Sequence, residues 1–216
     1  MTRDHTLVVD IGKSNARVLV IDADGAVVGQ SARANASTPG PGYTALGVAV
    51  LQAWLLDAVP QLPSRERVGR VIVSTHGAAF CAIDDQGLVL PPIDYEWDGY
   101  GPHRAGFEER LDPFTHTGSP RLPMGLNAGL QLHWVQAARP DDWARIRHWL
   151  PYPQYWAWWL TGVAASEVSS LGCHTQLWSP AEATFSRWAR STGIAEKFAP
   201  VRPAWEVLGT LTPSMA

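Results

Sequence analysis

The stretch "LVVDIGKSNARVLVIDADG", residues 7–25, places a polar turn between two apolar runs. Residues 7–11 form a short apolar run that is typical of a buried strand, and residues 16–22 alternate in polarity as a second strand would. Gly25 supplies the backbone freedom that a tight turn needs, and residues 26–36 return as a third strand. The pattern therefore predicts that the chain opens as an antiparallel meander.

The Gly12-Lys13-Ser14 sequence in the first turn is compatible, at first sight, with two other motifs. A phosphate-binding Walker A loop needs a glycine at position 7, which is Leu7, and it must lead into a helix rather than a strand. A hydrolase nucleophile elbow needs a glycine at position 16, which is Ala16, and again a helix after it. Both motifs are excluded.

The turn still carries residues that suit phosphate chemistry. The Asp10 carboxylate can hold Mg²⁺ through its waters, and Gly12 lets the backbone come close to an anion. The amides of Lys13, Ser14 and Asn15 can donate to phosphate oxygens, and Arg17 adds a fork-shaped donor. From these residues alone, an ordinary polar hairpin capped by Asp10 remains an alternative.

The remainder of the chain alternates between strand and helix patterns. A helix is predicted at 43–59, followed by a strand at 70–75 and a hairpin at 79–93. Further helices are predicted at 101–111, 127–138, 153–162 and 180–193. Strands first and helices after predict an α/β fold with a mixed sheet and helices packed on it.

Composition narrows the class of partner. The 216-residue chain has a net charge of -3 and a pI near 6.1, which argues against nucleic acid or a membrane surface as the main partner and favours a small molecule. The two cysteines have no paired spacing, which fits a reducing compartment, and no cysteine-histidine pattern predicts zinc. We find no leader-like segment and no apolar run near the ~20 residues of a membrane span. We therefore expect a cytoplasmic protein.

Seven segments in order resemble the FGGY carbohydrate kinases. Residues 8–25 resemble the family's first phosphate motif, in which Asp, Gly and Arg occur at the spacing of Asp10, Gly12 and Arg17. The later segments are "GRVIVSTHGAAFCAIDDQG" (69–87), "LPPIDYEWDGYG" (90–101), "TGSPRLPMGLNAGLQLHWV" (117–135), "LPYPQYWAWWLTG" (150–162), "SEVSSLGCHTQLW" (166–178) and "EVLGTLTP" (206–213). The resemblance is nearest to the rhamnulokinase and L-fuculokinase branch. It implies the ribonuclease H-like fold of the actin and hexokinase superfamily, with residues 1–216 as the N-terminal domain of a two-domain kinase.

The resemblance also implies a site that uses ATP and Mg²⁺ to phosphorylate a sugar or polyol. The phosphate and magnesium side comprises Asp10, Gly12, Lys13, Ser14 and Arg17, with Asp10 holding Mg²⁺ through water. The substrate side comprises His76, Glu96, Trp97, Asp98 and Asn127. Lys13 stands where many relatives have a small hydroxyl residue, so a phosphate contact and a solvated side chain both remain open for it.

One departure from the family's pattern concerns catalysis. The family's general base is an Asp in a Gly-rich motif that we expect beyond residue 216, together with a C-terminal ATP-binding domain. We therefore expect no catalytic residue in this chain, weak sugar binding and no phosphorylation by the chain alone. An exposed domain face would also favour a homodimer. The alternatives are a noncatalytic sugar-binding or regulatory module and an ATP-hydrolysing or scaffold protein, and the sugar-side resemblance argues against the last.

Overall fold

The computed structural model describes residues 2–215, which fall into two compact units. The first unit contains the residues up to Thr38 together with Leu46–His76, and the second contains Pro39–Ala45 together with the chain from Gly77 onward. The chain thus leaves the first unit after Thr38 and returns to it at Leu46.

The secondary structure of the described residues consists of short strands and helices, with 3-10 turns at Val59–Gln61, Arg65–Arg67 and Ala195–Lys197. The strands are β1 His5–Ile11, β2 Asn15–Ile21, β3 Val27–Ala34, β4 Ser37–Pro39, β5 Thr44–Leu46, β6 Val68–Thr75, β7 Phe80–Asp84, β8 Gly87–Leu90, β9 His148–Pro151, β10 Trp178–Ser179 and β11 Thr184–Phe185. The helices are α1 Val48–Ala58, α2 His103–Glu108, α3 Phe114–Thr117, α4 Ala128–Ala138, α5 Pro140–Arg145, α6 Tyr152–Thr161, α7 Val168–Gly172 and α8 Arg187–Ser191.

The first unit is built on a four-stranded sheet in the order β3-β2-β1-β6. β1 is antiparallel to β2 and parallel to β6, so the sheet is mixed and the predicted opening meander is confirmed. One face of β1 and β2 is apolar and buried, because alternate residues point to the same side of a strand. Helix α1 belongs to the same unit and packs against β2 of this sheet. Its buried residues are Val48, Leu51, Leu55 and Ala58.

The second unit has a three-stranded antiparallel sheet, β8-β7-β9, and a small ribbon, β10-β11. Helix α4 runs through its core, because most of its residues are buried. Large aromatic side chains fill much of the space around it, and the Trp188 ring meets the Phe107 ring edge-on at 4.9 Å. The abundance of tryptophan in the sequence is thus used largely for packing.

The helix predictions differ from the structure mainly at their starts. The helix predicted at 43–59 begins at Val48, because Thr44–Leu46 forms β5. The helix predicted at 101–111 is shorter, His103–Glu108, whereas the one ending at Gly162 is confirmed, with Gly162 in the left-handed region at φ 75°.

The helix predicted at 180–193 is wrong in its first half. Thr184–Phe185 pairs with Trp178–Ser179 as β11, and the helix itself starts at Arg187. The buried Ser186 hydroxyl caps it by accepting a hydrogen bond from the Ala189 amide.

Within residues 2–215, no helix combines the length and apolar character needed to cross a bilayer. In the same range, no three or more His, Cys, Asp and Glu side chains cluster closely enough to hold a metal ion between them.

Candidate functional site

The polar hairpin between β1 and β2 is closed by an ion pair. Asp10 and Arg17 are directly opposite each other in the strand register. The Arg17 guanidinium donates from Nε at 3.0 Å and from Nη2 at 2.6 Å, and both bonds end on Asp10 Oδ2. Both side chains are partly exposed, so the pair sits at the solvent edge of the sheet.

The end of β3 holds the turn between these two residues. The Asn35 backbone amide donates to the Ser14 carbonyl at 2.8 Å, and the Asn35 side-chain Nδ2 donates to the Gly12 carbonyl at 2.8 Å. The Lys13 ammonium donates to the Ser37 hydroxyl at 3.3 Å. A Cβ at Gly12 would lie 3.0 Å from the Asn15 carbonyl oxygen, which explains the glycine at this close approach.

The donors of this turn and the Asp10 carboxylate could bind an anion and a cation side by side. Because both Arg17 bonds end on one oxygen of Asp10, the other oxygen, Oδ1, can accept a further partner such as a water bound to Mg²⁺. Magnesium is commonly held by one or two carboxylates, waters and substrate phosphates. The residues therefore fit a magnesium ion held through water, whose role would be to neutralise phosphate charge.

His76 lies at the same edge of the first unit as the hairpin. β1 and β6 are parallel, so their carboxyl ends meet at one edge, and the His76 amide extends the pairing by donating to the Ile11 carbonyl at 3.0 Å. Ser74 is the register partner of Asp10 on β6. The structure thus places His76 at the same edge of the first sheet as the five predicted phosphate-side residues.

In the second unit, the predicted residues Glu96, Trp97 and Asp98 share one loop after β8. Asp94, which is buried, starts the turn by accepting the Glu96 amide on its carboxylate at 2.9 Å. Arg104 then links this loop to the next, because its Nη2 donates to Asp98 Oδ1 at 2.8 Å and to the Met124 carbonyl at 2.6 Å.

Trp97 is part of an aromatic cluster. Its ring lies 4.7 Å from the Tyr100 ring, 5.0 Å from the Trp134 ring and 6.0 Å from the Tyr43 ring. Burial raises the pKa of the Tyr43 and Tyr100 hydroxyls, so both stay neutral. The cluster holds the ring of Trp97, the residue that directly precedes Asp98 in the chain.

Asn127 is buried, and its carboxamide is engaged by the backbone. Its Oδ1 accepts from the Leu122 amide at 2.8 Å, while its Nδ2 donates to the carbonyls of Pro120 at 2.9 Å and His174 at 2.6 Å. These bonds give Asn127 a positioning role for the 120–127 loop. His174 places its Nδ1 3.0 Å from the Leu126 carbonyl oxygen within the same loop network.

Gln131, on α4, is a buried residue that ties two loops together. Its carboxamide nitrogen, Nε2, donates to the Ala78 carbonyl at 2.7 Å and to the Gly125 carbonyl at 2.8 Å. Ala78 and Met124, in these loops, both adopt the left-handed backbone region, at φ 57° and φ 52°. Such non-glycine strain persists only where neighbouring contacts hold it.

Sequence reasoning missed three of these residues: Asn35, Arg104 and Gln131. Each acts on a partner at least six residues away, and no local motif marks any of them. The one signal that could have found Gln131 is its position as a polar residue among the mostly apolar residues of the predicted helix 127–138.

The chain is similar over essentially its whole length to known sugar kinases. No protein-family model matches the chain. An L-fuculokinase from Salmonella typhi is 27% identical over 98% of this chain and 47% of its own length. A crystal structure of a carbohydrate kinase from Novosphingobium aromaticivorans superposes with a TM-score of 0.93 and 37% identity, over 100% of this chain and 46% of that one.

A xylulose kinase from Rhodospirillum rubrum superposes with a TM-score of 0.82 over 98% of this chain and 46% of its own, and at 19% identity it shows the fold alone. The chain spans about half the length of the curated relatives it matches. The resemblance to FGGY carbohydrate kinases is therefore confirmed, and the chain corresponds to the N-terminal half of such a kinase, with the ribonuclease H-like fold of the actin and hexokinase superfamily.

Proposed function

We propose that this chain is the part of an ATP-dependent carbohydrate kinase that supplies the sugar site and the first phosphate hairpin. The observation that carries the proposal is the match over the whole chain to a carbohydrate kinase, at 37% identity and a TM-score of 0.93. The hairpin closed by Asp10 and Arg17 supports it, because it presents donors and a carboxylate at one sheet edge.

In the proposed reaction, a sugar or polyol hydroxyl attacks the γ-phosphorus of ATP. A new oxygen-phosphorus bond forms, the bridging bond to the β-phosphate breaks, and ADP leaves with that bond's electron pair. The hydroxyl proton passes to the carboxylate base that we expect outside this chain. Positioning and charge stabilisation supply most of the catalysis in such transfers.

On the phosphate side, we propose that the amides of Lys13, Ser14 and Asn15 and the guanidinium of Arg17 bind phosphate oxygens. Gly12 would let the backbone come close to them. Asp10 would hold Mg²⁺ through water. The Lys13 ammonium, which contacts the Ser37 hydroxyl, adds positive charge next to the turn.

On the substrate side, we propose that His76, Glu96, Trp97 and Asp98 read the sugar. A carboxylate and an imidazole can bond to hydroxyls, and an indole face suits the C–H edge of a sugar ring. Asn127 would act through the loop that it braces, because its amide is bonded to that loop's backbone.

The proposal includes a second domain, a cellular compartment and an assembly. A C-terminal kinase domain would bring the adenine site and the base, so the chain alone would not phosphorylate a sugar. Cys81 is buried and Cys173 exposed, and both are free, which supports a reducing, cytoplasmic compartment. A homodimer is an expectation that light scattering tests.

The first test reads the gene beyond codon 216 and assays its full product. We expect a continuing frame that encodes a Gly-rich motif with an Asp, and ADP release with at least one ketose, deoxyketose or polyol. Absence of turnover on all of them, with the second half present, would contradict the kinase and favour the noncatalytic sugar-binding module.

Two variants then separate the two sides of the site. Asp98→Ala should raise the KM for sugar about tenfold or more, because a charge-assisted hydrogen bond is lost. Arg17→Ala should instead raise the KM for ATP. The reverse pattern would contradict the assignment.

Each variant has a matched control. Asp85 is an exposed carboxylate that is also paired with an arginine, Arg147, and Asp85→Ala should leave both KM values unchanged. Arg70 is an exposed arginine on β6, opposite Thr6 and thus at the far end of β1 from Asp10, and Arg70→Ala should do the same.

A further inference from the structure

Asn35 contacts the phosphate hairpin twice, through two different groups. Its backbone amide reaches the Ser14 carbonyl and its side-chain Nδ2 reaches the Gly12 carbonyl, both at 2.8 Å. The residue directly follows β3, the strand that pairs with β2 from Asn15 onward. Asn35 therefore lies beside the turn and touches the carbonyls at both ends of its Lys13-Ser14 segment.

These two contacts fix the direction of two amides. A trans peptide is planar, and its carbonyl and the next residue's N–H point in opposite directions. Since the Gly12 carbonyl points at Asn35, the Lys13 N–H points away from Asn35. The Ser14 carbonyl also points at Asn35, so the Asn15 N–H likewise points away from Asn35.

We propose that Asn35 is the positioning residue of the phosphate hairpin, which turns the Lys13 and Asn15 amides toward a bound phosphate chain. This inference rests on the proposed function, because it takes the hairpin to be the phosphate site. Asn35 itself does not touch the phosphates. It holds the donors in the direction they need before the ligand arrives, and such preorganisation improves affinity.

The alternative is that Asn35 only stabilises the fold. In that case its removal would change the stability of the chain and leave the affinity of the folded hairpin for anions unchanged. A test must therefore measure binding separately from folding.

The experiment is an amide NMR titration of the 216-residue chain with inorganic triphosphate. In the natural chain, we expect the Lys13 and Asn15 amide signals to shift on titration. Asn35→Ala should weaken the apparent Kd about tenfold, the usual effect of losing one well-placed hydrogen bond of about 1.4 kcal/mol. Asn35→Gln keeps a carboxamide donor and should recover much of the affinity.

The control is Gln30→Ala, which removes an exposed carboxamide from the same strand, β3, away from the turn. It should bind like the natural chain. If Asn35→Ala loses the dispersed spectrum of a folded chain, Asn35→Leu replaces it, because leucine has nearly the same shape as asparagine without the donor.

The outcomes separate the two hypotheses. Triphosphate binding by the natural chain with equal affinity in the folded variants that lack the donor would overturn the role of Asn35 and leave the phosphate hairpin standing. An absence of shifts at Lys13 and Asn15 in the natural chain would overturn the hairpin assignment as well. Weakened binding in Asn35→Ala or Asn35→Leu, with recovery in Asn35→Gln, supports the proposal.

Discussion

Replacing Gln131 by methionine should destabilise the second unit by about 3 kcal/mol, because two buried backbone carbonyls would lose their donor. Gln131 is 2% exposed, and its Nε2 donates to the Ala78 and Gly125 carbonyls at 2.7 and 2.8 Å. Each unsatisfied buried group costs about 1–3 kcal/mol, and the apolar methionine offsets part of the sum. A loss of this size is a large share of the roughly 5–15 kcal/mol that stabilises a typical domain.

Urea unfolding followed by tryptophan fluorescence measures this change in the right place. Ten of the eleven tryptophans belong to the second unit, since only Trp54 lies in the first. The midpoint should fall while the slope m stays constant, which shows a change of stability rather than of compactness.

The matched control is Gln136→Met on the same helix. Gln136 makes one such bond, from Nε2 to the Thr192 carbonyl at 2.9 Å, and it is only partly buried. We expect a cost of about 1 kcal/mol or less. A loss in Gln131→Met that is no larger than in Gln136→Met would refute the reasoning that both loop carbonyls depend on this one donor.

Three further changes test other contacts by the same unfolding measurement. Gly129→Ala should destabilise the chain, although alanine favours helices by about 1 kcal/mol, because its Cβ would lie 2.8 Å from the Thr175 carbonyl oxygen. Gly106 has open space around it, so Gly106→Ala should stabilise the chain, and equal effects at both sites would contradict this reasoning. Glu167→Gln should flatten the loss of stability in acid. Burial raises the pKa of the Glu167 carboxyl, but hydrogen bonds from the hydroxyl and amides of its own helical turn outweigh burial, so the net pKa is lowered. The stabilisation by the ionised carboxylate is therefore present above pH 4.5 and is lost as the pH falls below that value. Ser186→Ala should cost about 1–2 kcal/mol through loss of the α8 cap, and an unchanged midpoint would contradict that role.

The opening hairpin could be predicted from sequence because its signals are local. Alternation of polarity placed β2, and the missing glycines at positions 7 and 16 excluded the competing motifs. The Asp10–Arg17 pair follows once the turn is known, since antiparallel strands place these residues opposite each other.

Other features depend on partners that are distant in sequence, and no local pattern reports them. Gln131 and Ala78 are 53 residues apart, and Asn35 and Gly12 are 23 apart. The segment that forms β11 has the composition of a helix, but pairing with Trp178–Ser179 overrides its local preference. Likewise, the sequence nominated Asn127 as a polar residue without indicating that the backbone occupies its amide.

The seven residues Pro39–Ala45 belong to the second unit, although residues of the first unit precede and follow them in the sequence. This order along the chain matters during synthesis. The Tyr43 hydroxyl donates to the Pro91 carbonyl, 48 residues later, and Arg139 donates to the Pro41 carbonyl across 98 residues. A ribosome that adds about 5–20 residues per second needs roughly 5–20 s to supply that arginine. Within this interval β6, the last strand of the first sheet, is completed, while the Pro39–Ala45 segment still waits for Arg139. The first unit can therefore mature early on the ribosome, and the second must close around a segment that was synthesised long before it.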